Sequence, residues 1–143
     1  MSTHAGIGIQ DEDGSVRAIY CHHDGYLEHV GRTLVEHFNS RERVEALIAL
    51  GSISCLSRSG NLDFDREKSD RCERDAGTEA YHRDQRYPWA ENAPQSFYGP
   101  AHWHKEVGYE HEYLWMVASD EGPEGWYKWA GGGWSPLVGL RVA

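Results

Sequence analysis

Ile7 and Ile9 alternate with Gly6 and Gly8 along the first apolar run, and a second run, from Val16 to Cys21, follows Asp11-Glu12-Asp13-Gly14-Ser15. A period of two on either side of an Asp-Gly turn predicts a β-hairpin over residues 5–22. Downstream the period changes. Leu27, Val30, Leu34 and Phe38 recur at spacings of three and four, which predicts a helix over residues 26–38 with one apolar stripe. Gly31 within it is expected to admit another backbone at close range. Asn39 and Glu42 have the spacing of a capping box, and Val44, Leu47 and Ile48 form the inward stripe of a second helix that Gly51 ends. Residues 52–56 fit a strand or an extended connection equally well.

From residue 57 to about 86, eight acids interleave with seven bases and few apolar residues intervene, the pattern of a solvated insertion. Pro88, Pro94 and Pro100 then lie among Trp89, Phe97, Tyr98 and Trp103, which predicts an irregular loop packed by its aromatics over residues 87–110. Regularity returns at Tyr113-Leu114-Trp115-Met116-Val117, apolar on both faces like an inner strand. A turn at residues 120–125 leads into Trp126-Tyr127-Lys128-Trp129, making a second hairpin. The expectation is one α+β domain over residues 1–143. Its antiparallel sheet is built from the N- and C-terminal hairpins, two helices pack on one face, and a long polar insertion spans about 57–100.

Composition adds direction to this frame. The 143 residues carry a net charge of −9, which disfavours direct binding to nucleic acid or anionic membrane and favours a basic partner. The first residues lack the basic and apolar regions of a signal peptide, and no run approaches a membrane span, so a cytoplasmic location is expected. Cys21, Cys55 and Cys72, odd in number and widely spaced, read as reduced thiols.

Among residues that could carry chemistry, His22, His23 and Asp24 close the first hairpin just before a helix. They read first as a turn in which Asp24 caps the helix. A second set, His102-x-His104 with His111 beyond, has the spacing that puts two imidazoles on one strand face. If the two clusters met, His22, Asp24, His102 and His104 would offer ligands to a divalent ion such as zinc, and a metal-activated water would make a small hydrolase or nuclease. No Gly-x-Ser-x-Gly, Walker, Gly-x-Gly-x-x-Gly or His-Glu-x-x-His motif is present, so no catalytic residue is assigned and no cofactor is expected. Cys21 reads as a small core residue rather than a nucleophile. Tyr26 with Trp126 and Trp129 is a candidate site for a nucleotide-like ligand, although a chain with only three Phe needs Trp and Tyr for core volume. The two acidic turns, Asp11, Glu12 and Asp13 in one and Asp120, Glu121 and Glu124 in the other, are the candidate contacts for a protein partner.

Ile7-Gly8-Ile9-Gln10, the segment Tyr20-Cys21-His22-His23-Asp24-Gly25-Tyr26, and Ala46-Leu47-Ile48-Ala49-Leu50-Gly51 resemble a group of small uncharacterised proteins of bacteriophages, prophages and other mobile elements. The likeness extends faintly to Glu112-Tyr113-Leu114-Trp115 and Gly125-Trp126-Tyr127 and is absent from about 57 to 100. It implies a mobile-element setting in a bacterial host. With the acidity and the missing catalytic motifs, it leads to the expectation of a non-enzymatic accessory protein that binds a host protein. A counter-defence, anti-CRISPR-like inhibitor covering a nucleic-acid-binding defence component fits that description, and a homodimer is equally open.

Overall fold

In a computed structural model, which describes residues 3–137, the alternation of the first run appears as strand β1, Ala5–Gln10, hairpinned to β2, Val16–Cys21. A π-helical turn, Leu27–Gly31, runs directly into α1, Arg32–His37, and α2 follows at Arg41–Ile48. The undecided stretch is a strand, β3, Ile53–Cys55, parallel to β2. Beyond it come α3 (Arg66–Asp70), β4 (Glu79–Ala80), α4 (Tyr81–Gln85), α5 (Trp89–Asn92), β5 (Gln95–Phe97) and α6 (Pro100–Val107). The chain closes with β6 (His111–Met116), β7 (Gly125–Ala130) and β8 (Gly133–Pro136).

The fold is α+β. Strands run in the order β4-β3-β2-β1-β6-β7-β8, with β5 antiparallel to the first half of β2. Both expected hairpins are present, but β1 and β6 join them in parallel, with Ala5 opposite His111 and Ile9 opposite Trp115. The sheet is therefore mixed rather than antiparallel. The chain returns to the sheet centre from its far end, and only a long crossover permits that direction.

Alternation sorts the side chains into two layers. On the inner face Ala5, Ile7, Ile9, Ile19, Cys21, Tyr113, Trp115 and Trp126 meet Val30, Leu34, Phe38, Val44, Leu47 and Ile48 of the helices. Two buried hydrogen bonds pin this layer: Trp126 Nε1 donates to Phe38 O at 2.9 Å and Tyr113 Oη to Gly25 O at 2.8 Å. Gly31 is crowded by side chains rather than by the backbone expected there: a Cβ would lie 2.8 Å from Leu27 Cδ1 and 3.2 Å from Tyr113 Cε1.

The outer face is covered by α6, which the reading of residues 87–110 as an irregular loop missed. Pro100 suits the first turn of a helix, where its absent N–H costs nothing, and Gly108 closes the helix in the left-handed conformation. The three prolines of residues 87–110 and the scattered aromatics among them hid that pattern. Trp103 lies over β1, where a Cβ on Gly6 would come within 2.8 Å of its Cζ2 and one on Gly8 within 3.3 Å of its Cη2.

Capping of α2 shifts by one residue from the expected Asn39. Ser40, with φ −142° and ψ 152°, is the cap, and its side chain accepts from Arg43 N at 3.2 Å. Replacing Ser40 with Ala should lower stability by about 1 kcal/mol, the usual value of such a cap. Asn39→Ala should change it far less, and urea unfolding of the two variants is the measurement.

Candidate functional site

Neighbouring strands bring Tyr20, Gly6 and Glu112 into one row across the outer face, since Gly6 pairs with both Tyr20 and Glu112. Trp129 continues the row beyond Glu112 and pairs with Trp134 on β8. Gly6 leaves a gap in the middle that Trp103 and Tyr109 fill. Two polar clusters flank that gap.

The first cluster centres on the Tyr20 hydroxyl, 2.8 Å from His4 Nδ1 and 2.6 Å from His22 Nδ1. His4 Nδ1 is also 3.0 Å from the His22 carbonyl oxygen. A carbonyl only accepts, so His4 carries its proton on Nδ1, and Tyr20 Oη, accepting from His4, donates to His22 Nδ1. Burial, followed by the charges of Tyr81, Tyr109 and Cys21, pushes the Tyr20 phenol up to about 12, so it remains a donor at neutral pH. Burial, then His23 and His4, lowers the pKa of His22 and keeps its ring neutral.

In the second cluster Glu112 is 1% exposed on an otherwise apolar strand. One carboxylate oxygen accepts from His104 Nδ1 and the other from Tyr109 N at 3.0 Å. His104 also stacks on Trp129, with ring centroids 3.8 Å apart and planes at 21°. A buried carboxylate that fixes the tautomer and plane of an imidazole is the arrangement by which proteins orient a proton-transfer group. Glu112 was not singled out from the sequence. An acid beside four consecutive apolar residues is the signal that could have found it.

Beside the first cluster a cleft of about 540 Å³ opens between α6 and the α4–α5 segment. Tyr81, Tyr87, Phe97 and Tyr109 wall it, Ala18 and Trp103 line it at the sheet, and Ser52, Asn92 and Gln95 supply uncharged polar groups. Tyr20 belongs to both cleft and cluster, its ring 5.3 Å from that of Tyr109. Burial raises the phenols of Tyr81 and Tyr109, so both offer hydroxyl protons.

The four expected metal ligands lie in four different surroundings. His22 is in the Tyr20 cluster, Asp24 faces His29 at 3.9 Å, His102 accepts from Tyr98 N at 3.0 Å, and His104 is held by Glu112. His102 and His104 sit on a helix rather than a strand, where residues two apart diverge. No group of three or more His, Cys, Asp or Glu among the described residues is placed to hold a metal ion. Asp24 does not cap the helix: the residue before the π-helical turn is Tyr26, which makes no side-chain cap bond.

The expected ligand trio also separates. Trp126 is buried against the helices, whereas Trp129, three residues later on the same strand, faces outward onto His104, and Tyr26 packs edge-on to His29.

The two acidic turns, by contrast, lie at the same end of the sheet, because β1 and β6 run in parallel. Gln10 Oε1 accepts from Val117 N at 3.0 Å and ties them together. Asp11 is drawn inward by Arg17 at 2.8 Å and Arg41 at 3.1 Å, and Glu124 by Trp115 Nε1 at 3.1 Å. Glu12, Asp13, Asp120, Glu121 and Glu124 are exposed around the rim.

No helix among the described residues is long and apolar enough to cross a membrane. Comparison with protein-family models, with curated proteins and with solved structures returns no match.

His22 and His111 both have lowered pKa values, chiefly through burial, so protons taken up by the unfolded chain near pH 6.5 are refused by the fold. Stability should hold above about pH 6.5 and fall as the pH drops through the native pKa values. Melting curves from about pH 7.5 to 5.5 should show a smaller decline in His22→Asn than in the parent. Burial also pushes the Cys21 thiol up to about 12, whereas Cys72 is exposed. Iodoacetamide should therefore label Cys72 in the native protein and reach Cys21 only after unfolding, as peptide mass mapping would show.

Proposed function

We propose that the protein binds a small ligand bearing a planar aromatic ring, of nucleoside type, in the outer-face cleft. The observation that carries this reading is the cleft itself: a concave space of ligand size with phenol and phenyl rings on its walls and a few uncharged polar groups to orient an occupant. Ring stacking of this kind is worth about 1–3 kcal/mol per base and tolerates any base. Glu91 is the one charged side chain lining it among the described residues, so a phosphate is disfavoured and a neutral or cationic ligand preferred. This differs from the nucleotide-like ligand expected between Tyr26 and the tryptophans in both position and charge.

Calorimetry with purine and pyrimidine nucleosides and their monophosphates tests the reading. Nucleosides should bind more tightly than the matching monophosphates, and Tyr81→Ala or Tyr109→Ala should weaken binding about tenfold or more. Absence of binding to every nucleoside would overturn it.

A separate observation favours a second reading, in which the chain acts as a mobile-element accessory protein on a basic host protein. Five exposed carboxylates of the two turns share one rim, and Asp11 is anchored behind them by Arg17 and Arg41. A negative surface of this kind steers and selects a positive one. Replacing Glu12, Asp13, Asp120 and Glu121 together by Lys should abolish salt-sensitive retention of a bacterial protein from nuclease-treated lysate. Unchanged retention by the reversed rim would remove this reading.

A further inference from the structure

Glu91, on α5, lines the outer-face cleft, and no Lys, Arg or His lines that cleft among the described residues. Its carboxylate makes no hydrogen bond or ion pair with the described residues. Four residues earlier, Tyr87 lines the same wall and is 50% exposed, one of the few large apolar side chains the fold leaves open to water. An open aromatic ring and an unpaired carboxylate thus stand together at the cleft, and packing of the fold uses neither.

Hydrogen-bonding capacity in the cleft is unevenly divided. An ionised carboxylate accepts and never donates. Hydroxyls supply donors: Ser52 Oγ accepts from Tyr20 N at 3.2 Å and keeps its own proton to give, and the phenols of Tyr81 and Tyr109, raised by burial, stay protonated. A ligand that fills the cleft therefore needs donors on the edge that meets Glu91 and gains from acceptors elsewhere.

That demand separates the nucleobases. Guanine alone among the common bases carries two neighbouring donors, N1–H and the N2 amino group, and it has O6 and N7 as acceptors beyond them. Its two donors match the two oxygens of one carboxylate. Adenine and cytosine set an acceptor beside their amino group, and uracil flanks its single donor with two carbonyls, so each would turn a lone pair toward the Glu91 charge.

We propose that the cleft is specific for guanine, with Glu91 accepting from N1–H and the N2 amino group and Tyr87 offering a stacking face. This specificity rests on the nucleoside reading of the same cleft and adds the residue that chooses the base.

Calorimetric titration with guanosine, inosine, adenosine, cytidine and uridine tests it. Inosine differs from guanosine only in lacking the N2 amino group. Guanosine should bind about tenfold more tightly than inosine and than the other three, the effect of one hydrogen bond to a charged group. Glu91→Gln should erase that advantage and leave adenosine at its parental affinity or above, because a carboxamide pairs one donor and one acceptor with adenine. Tyr87→Leu should weaken all five alike, and undiminished binding there would remove Tyr87 as the stacking face. Both side chains are exposed, so the variants should keep the parental far-ultraviolet circular dichroism. Guanosine binding no tighter than inosine, or a guanosine preference that survives Glu91→Gln, would overturn the specificity and leave the nucleoside reading standing. Absence of binding by all five would overturn both.

Discussion

The outer half of the molecule depends on the bare surface of β1. Gly6 and Gly8 expose backbone where other strands carry side chains, and the Trp103 indole lies directly against it. A methyl group at Gly6 would collide with both Trp103 and Tyr109 at 2.8 Å. That contact fixes the height of α6 above the sheet, and the height of α6 sets the distance at which His104 meets Glu112 and the width of the neighbouring cleft. The inner face follows a different rule, filled by aliphatic and aromatic side chains in the ordinary way. One strand therefore presents a packed side to the helices and a smooth side to a tryptophan.

Polar groups on the outer face are arranged around that smooth strip. The Tyr20 hydroxyl links two imidazoles on one flank, and Glu112 links an imidazole to the backbone of Tyr109 on the other. Each buried polar atom in these clusters has a partner, which keeps the cost of burying them low and their geometry narrow. Elsewhere in the molecule His29 Nδ1, His111 Nδ1 and Trp134 Nε1 are buried without such a partner.

How much of this was legible in the sequence varies with range. Ile7 and Ile9 against Gly6 and Gly8 revealed the first hairpin because the signal is local and period two. Val44, Leu47 and Ile48 revealed α2, while its cap moved by one residue because Asn39 and Ser40 are both good capping residues. Nothing local told that residues 100–107 are helical, since Pro100 and Gly99 look like loop until they are seen as a start. Nor could spacing show that Tyr20, Glu112 and Trp129 share a row, because that depends on the register of strands far apart in the chain. The histidines were visible as residue types, but their partners, a tyrosine hydroxyl for His22 and a buried glutamate for His104, were not.

The parallel pairing of β1 with β6 has a bearing on how the chain reaches its native state. The two central strands of the sheet are about a hundred residues apart in sequence, so the contact order is high and the loop that must close is nearly the whole molecule. On the ribosome the first hairpin emerges early and waits with one edge unpaired until β6 is synthesised. The short length of β1 limits what that edge can recruit meanwhile. Assembly of the sheet centre is thus a late event, and chains interrupted before residue 111 would carry β1 with its central edge open and nothing to close it.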